Sequence, residues 1–301
     1  MTLSNNTQVF FFAKLSLDLN LGYHDRTIPA TEAIRSVGTS IYAQRMSPKL
    51  SPGFKFIPEV IGIFPKGWTR GGQIIRPVPA EILKGKVKVL PLFALTKLEN
   101  GTTLLEQMAK ISGDAAPDFA RTAILAPFVK AWVSWAMDGG ITMEAHGQNV
   151  LFSVNQLGLP TGEFYQRDMG GTTIDFDSKA FPKEMRMEFP HFSEFGTYYE
   201  LSQKSKRIQT SLGVYFQDRV LNNIDRELQR VAPGYVPGQI ISQLWIELQN
   251  EIIRHTGIDR NQIPIEKLKT DLGTILRNGA RRTSNRPVFS APSTKSCESI
   301  F

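Results

Sequence analysis

Between residues 118 and 176 the hydrophobic period changes from helical to strand-like, and this change constrains the fold more than any other feature of the chain. Asp118 to Met137 reads as one long apolar helix, stopped by the Gly139-Gly140 pair. A hairpin-like unit follows: Thr142 to Val154, a turn around Gly158, Pro160 and Gly162, and a returning strand through Phe164 to Phe176. Upstream lie strand patterns. Phe11 to Leu21 sets Leu15, Leu17, Leu19 and Leu21 against Lys14, Ser16, Asp18 and Asn20, the alternation of a half-buried strand. Further strands are expected at Gln73 to Arg76 and at Val87 to Thr96, and a helix at Thr103 to Ile111. Downstream come two amphipathic helices. One carries Leu212, Phe216, Leu221, Ile224 and Leu228, and the other Ile241, Leu244, Trp245, Leu248, Ile252 and Ile253. Strands, then a hairpin, then helices predict an α+β fold, an antiparallel sheet with helices.

Composition narrows the function. The 301 residues hold a single Cys, which excludes a disulfide framework, a four-cysteine zinc site and an iron-sulfur cluster held by this chain alone. A reducing compartment, the cytoplasm, is expected. The longest apolar runs, Val9 to Ala13 and Thr122 to Met137, fall short of the roughly 18 residues of a membrane span, and the second carries Pro127 and Lys130. No membrane role is expected. Net charge is +7, with a basic cluster at Arg277, Arg281, Arg282 and Arg286. That excess reads as a solvated surface or as an attraction for small anions such as nucleotides and carboxylates. Nucleic acid is not an expected partner, because basic and aromatic residues are not interleaved. From about Ser284 the composition turns to Ser, Thr, Pro and Arg, which reads as a loose tail.

The chemistry concentrates in the hairpin. Glu144-Ala145-His146-Gly147-Gln148-Asn149 is expected on a strand entering a turn, and Arg167-Asp168-Met169-Gly170-Gly171 on the strand returning beside it. In a regular strand Glu144, His146 and Gln148 share one face, and Asn149 joins them through a bulge or the start of the turn. Two carboxylates and an amide oxygen are hard ligands suited to Mg²⁺, which keeps water and phosphate oxygens in its other positions. His146 and Arg167 are placed to meet those phosphates, arginine through two parallel hydrogen bonds. Gly170-Gly171 lets backbone approach a ligand closely. His24, His191 and His255, without such company, read as structural histidines.

These two segments together resemble the palm motif of the IucA/IucC-type, NRPS-independent siderophore synthetases. Such enzymes join a citrate-type carboxylic acid to an amine or alcohol through an acyl-adenylate, using ATP and Mg²⁺. Ala13-Lys14-Leu15-Ser16-Leu17 resembles the family's lysine-bearing strand, and Ala30-Thr31-Glu32-Ala33-Ile34-Arg35-Ser36 its Thr-Ser-Ala-x-Arg-Thr segment. Ile57-Pro58-Glu59 and Ile74-Ile75-Arg76 resemble the Glu- and Arg-ended strands that follow; Leu90 to Leu95 with Thr103-Leu104-Leu105 resembles the stretch before the long helix. The resemblance implies a cupped, palm-like fold with a sheet-rich, fingers-like part at 1–115, a palm-like part at 116–283 and a tail at 284–301. It implies that Lys14, Arg35 and His146 contact the triphosphate or the carboxylate substrate as the catalytic set. Arg76 and Arg167 then join the nucleotide site, and Glu144, Asn149 and Asp168 hold Mg²⁺. The family's long region ahead of the lysine strand has no counterpart here, and Gly22 to Thr27 reads as an insertion between Lys14 and Arg35. The resemblance implies a homodimer, and the missing region implies either a half-enzyme completed by a partner chain that supplies it or a diverged or truncated homologue without full activity.

Three alternatives stand beside this reading. A non-catalytic nucleotide- or carboxylate-binding relative would keep the scaffold without the chemistry. A small-molecule kinase would need an Asp base between His146-Gly147 and Asn149, where this chain has Gln148. A ferric-siderophore reductase is excluded, because Cys297 alone cannot hold an iron-sulfur cluster.

Overall fold

The apolar run after Ala115 folds as one helical rod, and the four-stranded central sheet packs against it. A computed structural model describes residues 10–16, 20–21, 24–25, 27–64, 66, 71–175 and 210–283. The tail at 284–301, His191, Arg286, Cys297, and the strand expectations at residues 17–19 and 176 lie outside the described residues. The strands are β1 (Phe11–Leu15), β2 (Asn20–Leu21), β3 (His24–Asp25), β4 (Phe54–Phe56), β5 (Ile61–Ile63), β6 (Gln73–Pro77) and β7 (Lys88–Pro91). They continue with β8 (Leu98–Glu99), β9 (Thr102–Thr103), β10 (Ile141–Thr142), β11 (Val150–Val154), β12 (Pro160–Gln166) and β13 (Thr173–Ile174). The α-helices are α1 (Ala30–Met46), α2 (Ala80–Leu83), α3 (Leu104–Ser112), α4 (Ala116–Phe119), α5 (Ala126–Asp138), α6 (Asn222–Val231), α7 (Gln239–Thr256) and α8 (Ile265–Thr283).

A π-helical stretch, Ala120–Leu125, joins α4 to α5. Pro127 in the first turn of α5 has no N–H to donate, and the hydrogen-bond ladder widens just before it. The rod ends at Gly139, whose N–H bonds Trp135 O at 3.2 Å; a Cβ there would lie 2.9 Å from that same carbonyl. A second π-helical stretch, Thr210–Leu221, runs into α6. The Thr103 hydroxyl accepts the Glu106 N–H at 3.3 Å and starts α3.

The hairpin forms as expected but in two pieces. β10 pairs with β13, and β11 pairs with β12, all antiparallel. The central sheet has the order β4-β12-β11-β7, with β12–β4 its one parallel pair. The fold is therefore α+β, dominated by antiparallel pairing. Phe54 of β4, Phe164 of β12, Phe128 and Trp135 of α5, and Phe216 interlock with ring centroids 4.0 to 6.1 Å apart, so sheet and helices share one aromatic core.

Three local expectations need correction. The strand expected over Val87 to Thr96 ends at Pro91 and becomes a 3₁₀ helix, Leu92–Thr96, because burying Leu92 and Leu95 together requires a three-residue repeat. Glu144 to Asn149 is not a strand. The carbonyl of His146 accepts both the Asn149 and Val150 N–H groups, at 2.8 and 3.0 Å, and closes a turn there. Gln148 is consequently exposed and shares no strand face with Glu144 and His146. The third correction is β1, which is inside out. Leu15 is 53% exposed, whereas Lys14 is half-buried, drawn inward by carboxylates described below.

β1 belongs to a three-stranded antiparallel sheet of order β1-β6-β5. Its register places Lys14, Ile74 and Gly62 in one row on the face that α1 covers, where a Cβ on Gly62 would lie 3.0 Å from Ala33 Cβ. The opposite face presents Phe11, Ala13, Leu15, Ile61, Ile63, Ile75 and Pro77.

Candidate functional site

The inner face of that three-stranded sheet meets the second half of the hairpin through charge. Lys14 Nζ lies 2.7 Å from Glu32 Oε1 on α1 and 3.0 and 3.1 Å from the two carboxylate oxygens of Asp168. Burial disfavours the lysine charge, but the Asp168 and Glu32 carboxylates outweigh it and raise the Lys14 pKa above its ordinary value. Arg76, two residues along β6 from the Ile74 that pairs with Lys14, donates from Nε to Glu59 Oε1 at 2.7 Å and approaches Asp168 Oδ1 at 3.6 Å. Arg167 adjoins the same group: burial and the Arg76 cation push its pKa down, and Asp168 pulls it up.

Asp168 is presented by an unusual backbone. It sits at φ 69°, ψ 69° and starts the short 3₁₀ turn Met169–Gly171. The two glycines of that turn are there for space. A Cβ on Gly170 would lie 2.7 Å from Ser36 Oγ, and one on Gly171 would collide with Glu144 Oε2. Gly171 thus seats the Glu144 carboxylate against the loop that carries Asp168.

A cavity of about 530 Å³ opens over these groups. Its charged lining is Glu32, Arg35, Glu144 and Asp168, with Tyr215 and several hydroxyls around them. Arg35 differs from Lys14 and Arg76. Its Nε is buried without a hydrogen-bond partner, and among the described residues no carboxylate pairs with it. Such a cation costs desolvation unless an anion completes it.

His146 does not line this cavity and meets it only through Tyr215. Its Nδ1 accepts the Gln148 N–H at 3.1 Å, its Nε2 lies 3.3 Å from Arg219 Nη1, and its ring centroid is 5.9 Å from that of the cavity-lining Tyr215. Burial and the Arg219 cation lower its pKa, so the imidazole is neutral near pH 7. Gly147 lets this turn approach the helix, since a Cβ there would lie 3.0 Å from Val220 Cγ2.

Of the residues singled out in the sequence, Arg35, Glu144 and Asp168 line the cavity directly, and Lys14, Arg76 and Arg167 stand behind Asp168. Asn149 does not line it. Its N–H bonds His146 O, and its carbonyl accepts the Arg167 N–H at 2.9 Å. Glu32, Glu59, Tyr215 and Arg219 also belong to the constellation. Glu32 lies inside the segment quoted for Arg35 and Glu59 ends the quoted Ile57-Pro58-Glu59 segment, whereas no spacing in the sequence points to Arg219. Among the described residues no group of three or more His, Cys, Asp or Glu side chains is placed to hold a metal. Glu144 and Asp168 supply two hard carboxylates to one cavity, a donor set that fits Mg²⁺ completed by water and phosphate oxygens.

A larger cavity, about 1020 Å³, lies between Thr210–Leu221, α7 and α8. It is walled by Val214, Ile241, Trp245 and Ile265, shares Thr210 with the first, and is lined by the α8 ion pair Glu266–Lys269 rather than by the charges around Asp168.

No helix among the described residues is long and apolar enough to cross a membrane. No family model matches the sequence, and no curated protein gives a significant match. Solved structures do match. The ATP-bound aerobactin synthetase IucA from a hypervirulent pathotype of Klebsiella pneumoniae is 16% identical with a TM-score of 0.63, over 80% of this chain and 44% of its own. Petrobactin biosynthesis protein AsbB from Bacillus anthracis str. Sterne is 16% identical with a TM-score of 0.66, over 85% and 44%. Aerobactin synthetase IucC from the same Klebsiella pathotype is 20% identical with a TM-score of 0.61, over 81% and 43%. The chain spans less than half the length of the synthetases it matches, and over most of its own length it has the fold of an NRPS-independent siderophore synthetase.

Proposed function

We propose that this chain is a ligase of siderophore biosynthesis that uses ATP and Mg²⁺ to activate a citrate-type carboxylic acid and condense it with an amine or alcohol. The observation that carries this reading is Arg35, a cation with an unpartnered buried Nε. It faces a cavity that also holds two carboxylates suited to a divalent ion, in a fold matched by an ATP-bound synthetase. In the reaction, a carboxylate oxygen of the acid attacks the α-phosphorus and pyrophosphate leaves; the amine or alcohol then attacks the acyl carbon and AMP leaves. Arg35 binds and orients an anionic oxygen of the nucleotide or acid. Lys14 and Arg76 hold Asp168 towards the cavity, and neutral His146, beside the cavity-lining Tyr215 and with Nδ1 accepting from the Gln148 N–H, donates a hydrogen bond from Nε2–H to a substrate oxygen. Glu144 and Asp168 would hold Mg²⁺, which neutralises charge on the phosphates when bound. The cytoplasm, where ATP is available, is the compartment we assign.

Formation of citryl-hydroxamate from citrate and hydroxylamine, with stoichiometric AMP, tests the proposal. Activity lost in Arg35→Ala supports it, and AMP formation unchanged in that variant counts against it. One observation favours a second reading. Lys14 is already held by Glu32 and Asp168, as suits a binding protein that no longer needs a free lysine at the phosphates. Binding without turnover would identify that case. Because the chain covers 43 to 44% of the synthetases, turnover that appears only on adding a second polypeptide would point to a split enzyme, and a homodimer would be the alternative assembly.

A further inference from the structure

Glu59 has no part in the function proposed above, yet it is 0% exposed and both its carboxylate oxygens are engaged. Oε1 accepts from Arg76 Nε at 2.7 Å and also from its Nη2. Oε2 accepts the main-chain N–H of Met169 at 3.0 Å. Met169 follows Asp168, which with Asn100 is one of two non-glycine residues at positive φ among the described residues. Such a backbone persists only where its surroundings fix it. The bond from Glu59 to the next N–H is that constraint, and the same carboxylate fixes Arg76, whose guanidinium reaches Asp168 Oδ1 at 3.6 Å.

We propose that Glu59 is a positioning residue: one buried carboxylate ties the Arg76 side chain to the left-handed backbone at Asp168 and so sets where the Asp168 carboxylate stands in the cavity. The role of the cavity rests on the ligase reading; the tie itself does not. Glutamine cannot reproduce it. An amide offers one acceptor oxygen and one NH₂, and donors face both ends of the site, so one bond is lost. Glycine at 168, in contrast, adopts positive φ without strain and removes the need for the tie.

The test is hydrogen exchange of the 169–172 amides in the full chain, wild type against Glu59→Gln, with the 126–138 segment as internal control. Exchange at 169–172 at least tenfold faster, with 126–138 unchanged, is the expected result. Unchanged exchange at 169–172, or uniform acceleration of both segments, overturns the proposal, because a merely structural ion pair would loosen the fold without local preference. Should Glu59→Gln not fold, Glu59→Asp, which keeps the charge but is one methylene shorter, is expected to show the same local pattern in weaker form, and wild-type exchange in it overturns the proposal. Asp168→Gly supplies a second arm: the loss of stability on Glu59→Gln shrinks in that background if Glu59 holds the strained residue, and is additive if it does not. Mg·ATP titrated into the same proteins separates the two ideas. Wild-type protein that binds no nucleotide sinks the ligase reading and leaves the exchange result to decide Glu59.

Discussion

Lys14 and Gly171 show how much a single position decides in this site. Alternation along Phe11 to Leu21 marks Leu15 for the interior and Lys14 for solvent, the reverse of the structure, because hydrophobic pattern does not register two carboxylates waiting across the sheet. Gly171 does not depend on pattern. Its Cβ would collide with Glu144 Oε2 and lie 3.2 Å from Glu144 Cβ, so Gly171→Ala should displace Glu144 and cost about 1–3 kcal/mol of stability. Nucleotide titration and urea unfolding of that variant check both halves, and a large stability loss with intact binding would contradict it. At His146 the folded pKa is depressed, first by burial and then by Arg219. The neutral ring therefore contributes stability above its ordinary pKa of about 6.5, and this is lost as pH falls through the lower folded value. Arg219→Ala is expected to raise the His146 pKa in an NMR titration; an unmoved midpoint would show that the cation has no influence.

Elements with an apolar stripe were legible, and elements held by other means were not. The rod ending at Asp138 and the helices carrying Phe216 and Trp245 follow from spacing alone. Helix α1 does not, because its buried face is built from Ser36, Gly38, Thr39 and Ser40 among a few larger residues, and small polar groups leave no stripe. Helix α8 carries Leu268, Leu272, Ile275 and Leu276 in a segment whose basic residues, Arg277, Arg281 and Arg282, are the more conspicuous feature. His255 gives the helices a pH-dependent joint. It lies 3.2 Å from Asp138 Oδ2 at the end of α5 and 3.4 Å from Glu251 Oε1 on α7, and hydrogen bonds to those two carboxylates raise it to about 9. Its folded pKa exceeds the unfolded value, so the stabilisation is complete below pH ~6.5 and is lost as pH rises through about 9. The protonated joint is worth about 1–2 kcal/mol after allowance for partial exposure. Urea unfolding at pH 6 and pH 9.5 should show that loss in wild type and little of it in His255→Gln. Within the rod, Phe128→Ala removes a fully buried ring stacked 4.0 Å from Phe216 and should cost about 3–5 kcal/mol in the same assay.

On the scale of the whole molecule, one sheet has two unlike faces. The inner face carries Lys14 and Arg76 into the site; the outer face presents Phe11, Leu15, Ile61 and Ile63, each 44 to 53% exposed. These outer residues add little to the stability of this chain, so Ile63→Lys should leave unfolding within about 0.5 kcal/mol of wild type while lowering apolar-dye binding. A marked loss would mean that the face is packed in solution. The hairpin motif was legible because its groups are local in sequence, whereas Arg35, which lines the same cavity as Glu144 and Asp168, was singled out through the resemblance alone. Arg219 was hidden because its partner His146 lies 73 residues away; Glu59 ends the quoted Ile57-Pro58-Glu59 segment, but its bond to the Met169 N–H, 110 residues on, was not readable. If these groups together form a nucleotide site, calorimetric titration of Mg·ATP into wild type, Arg35→Ala and Asp168→Ala will reveal it. Wild type is expected to bind, with affinity weakened at least tenfold in both folded variants. Binding that survives both substitutions, or a folded wild type that takes up no nucleotide, would contradict such a site.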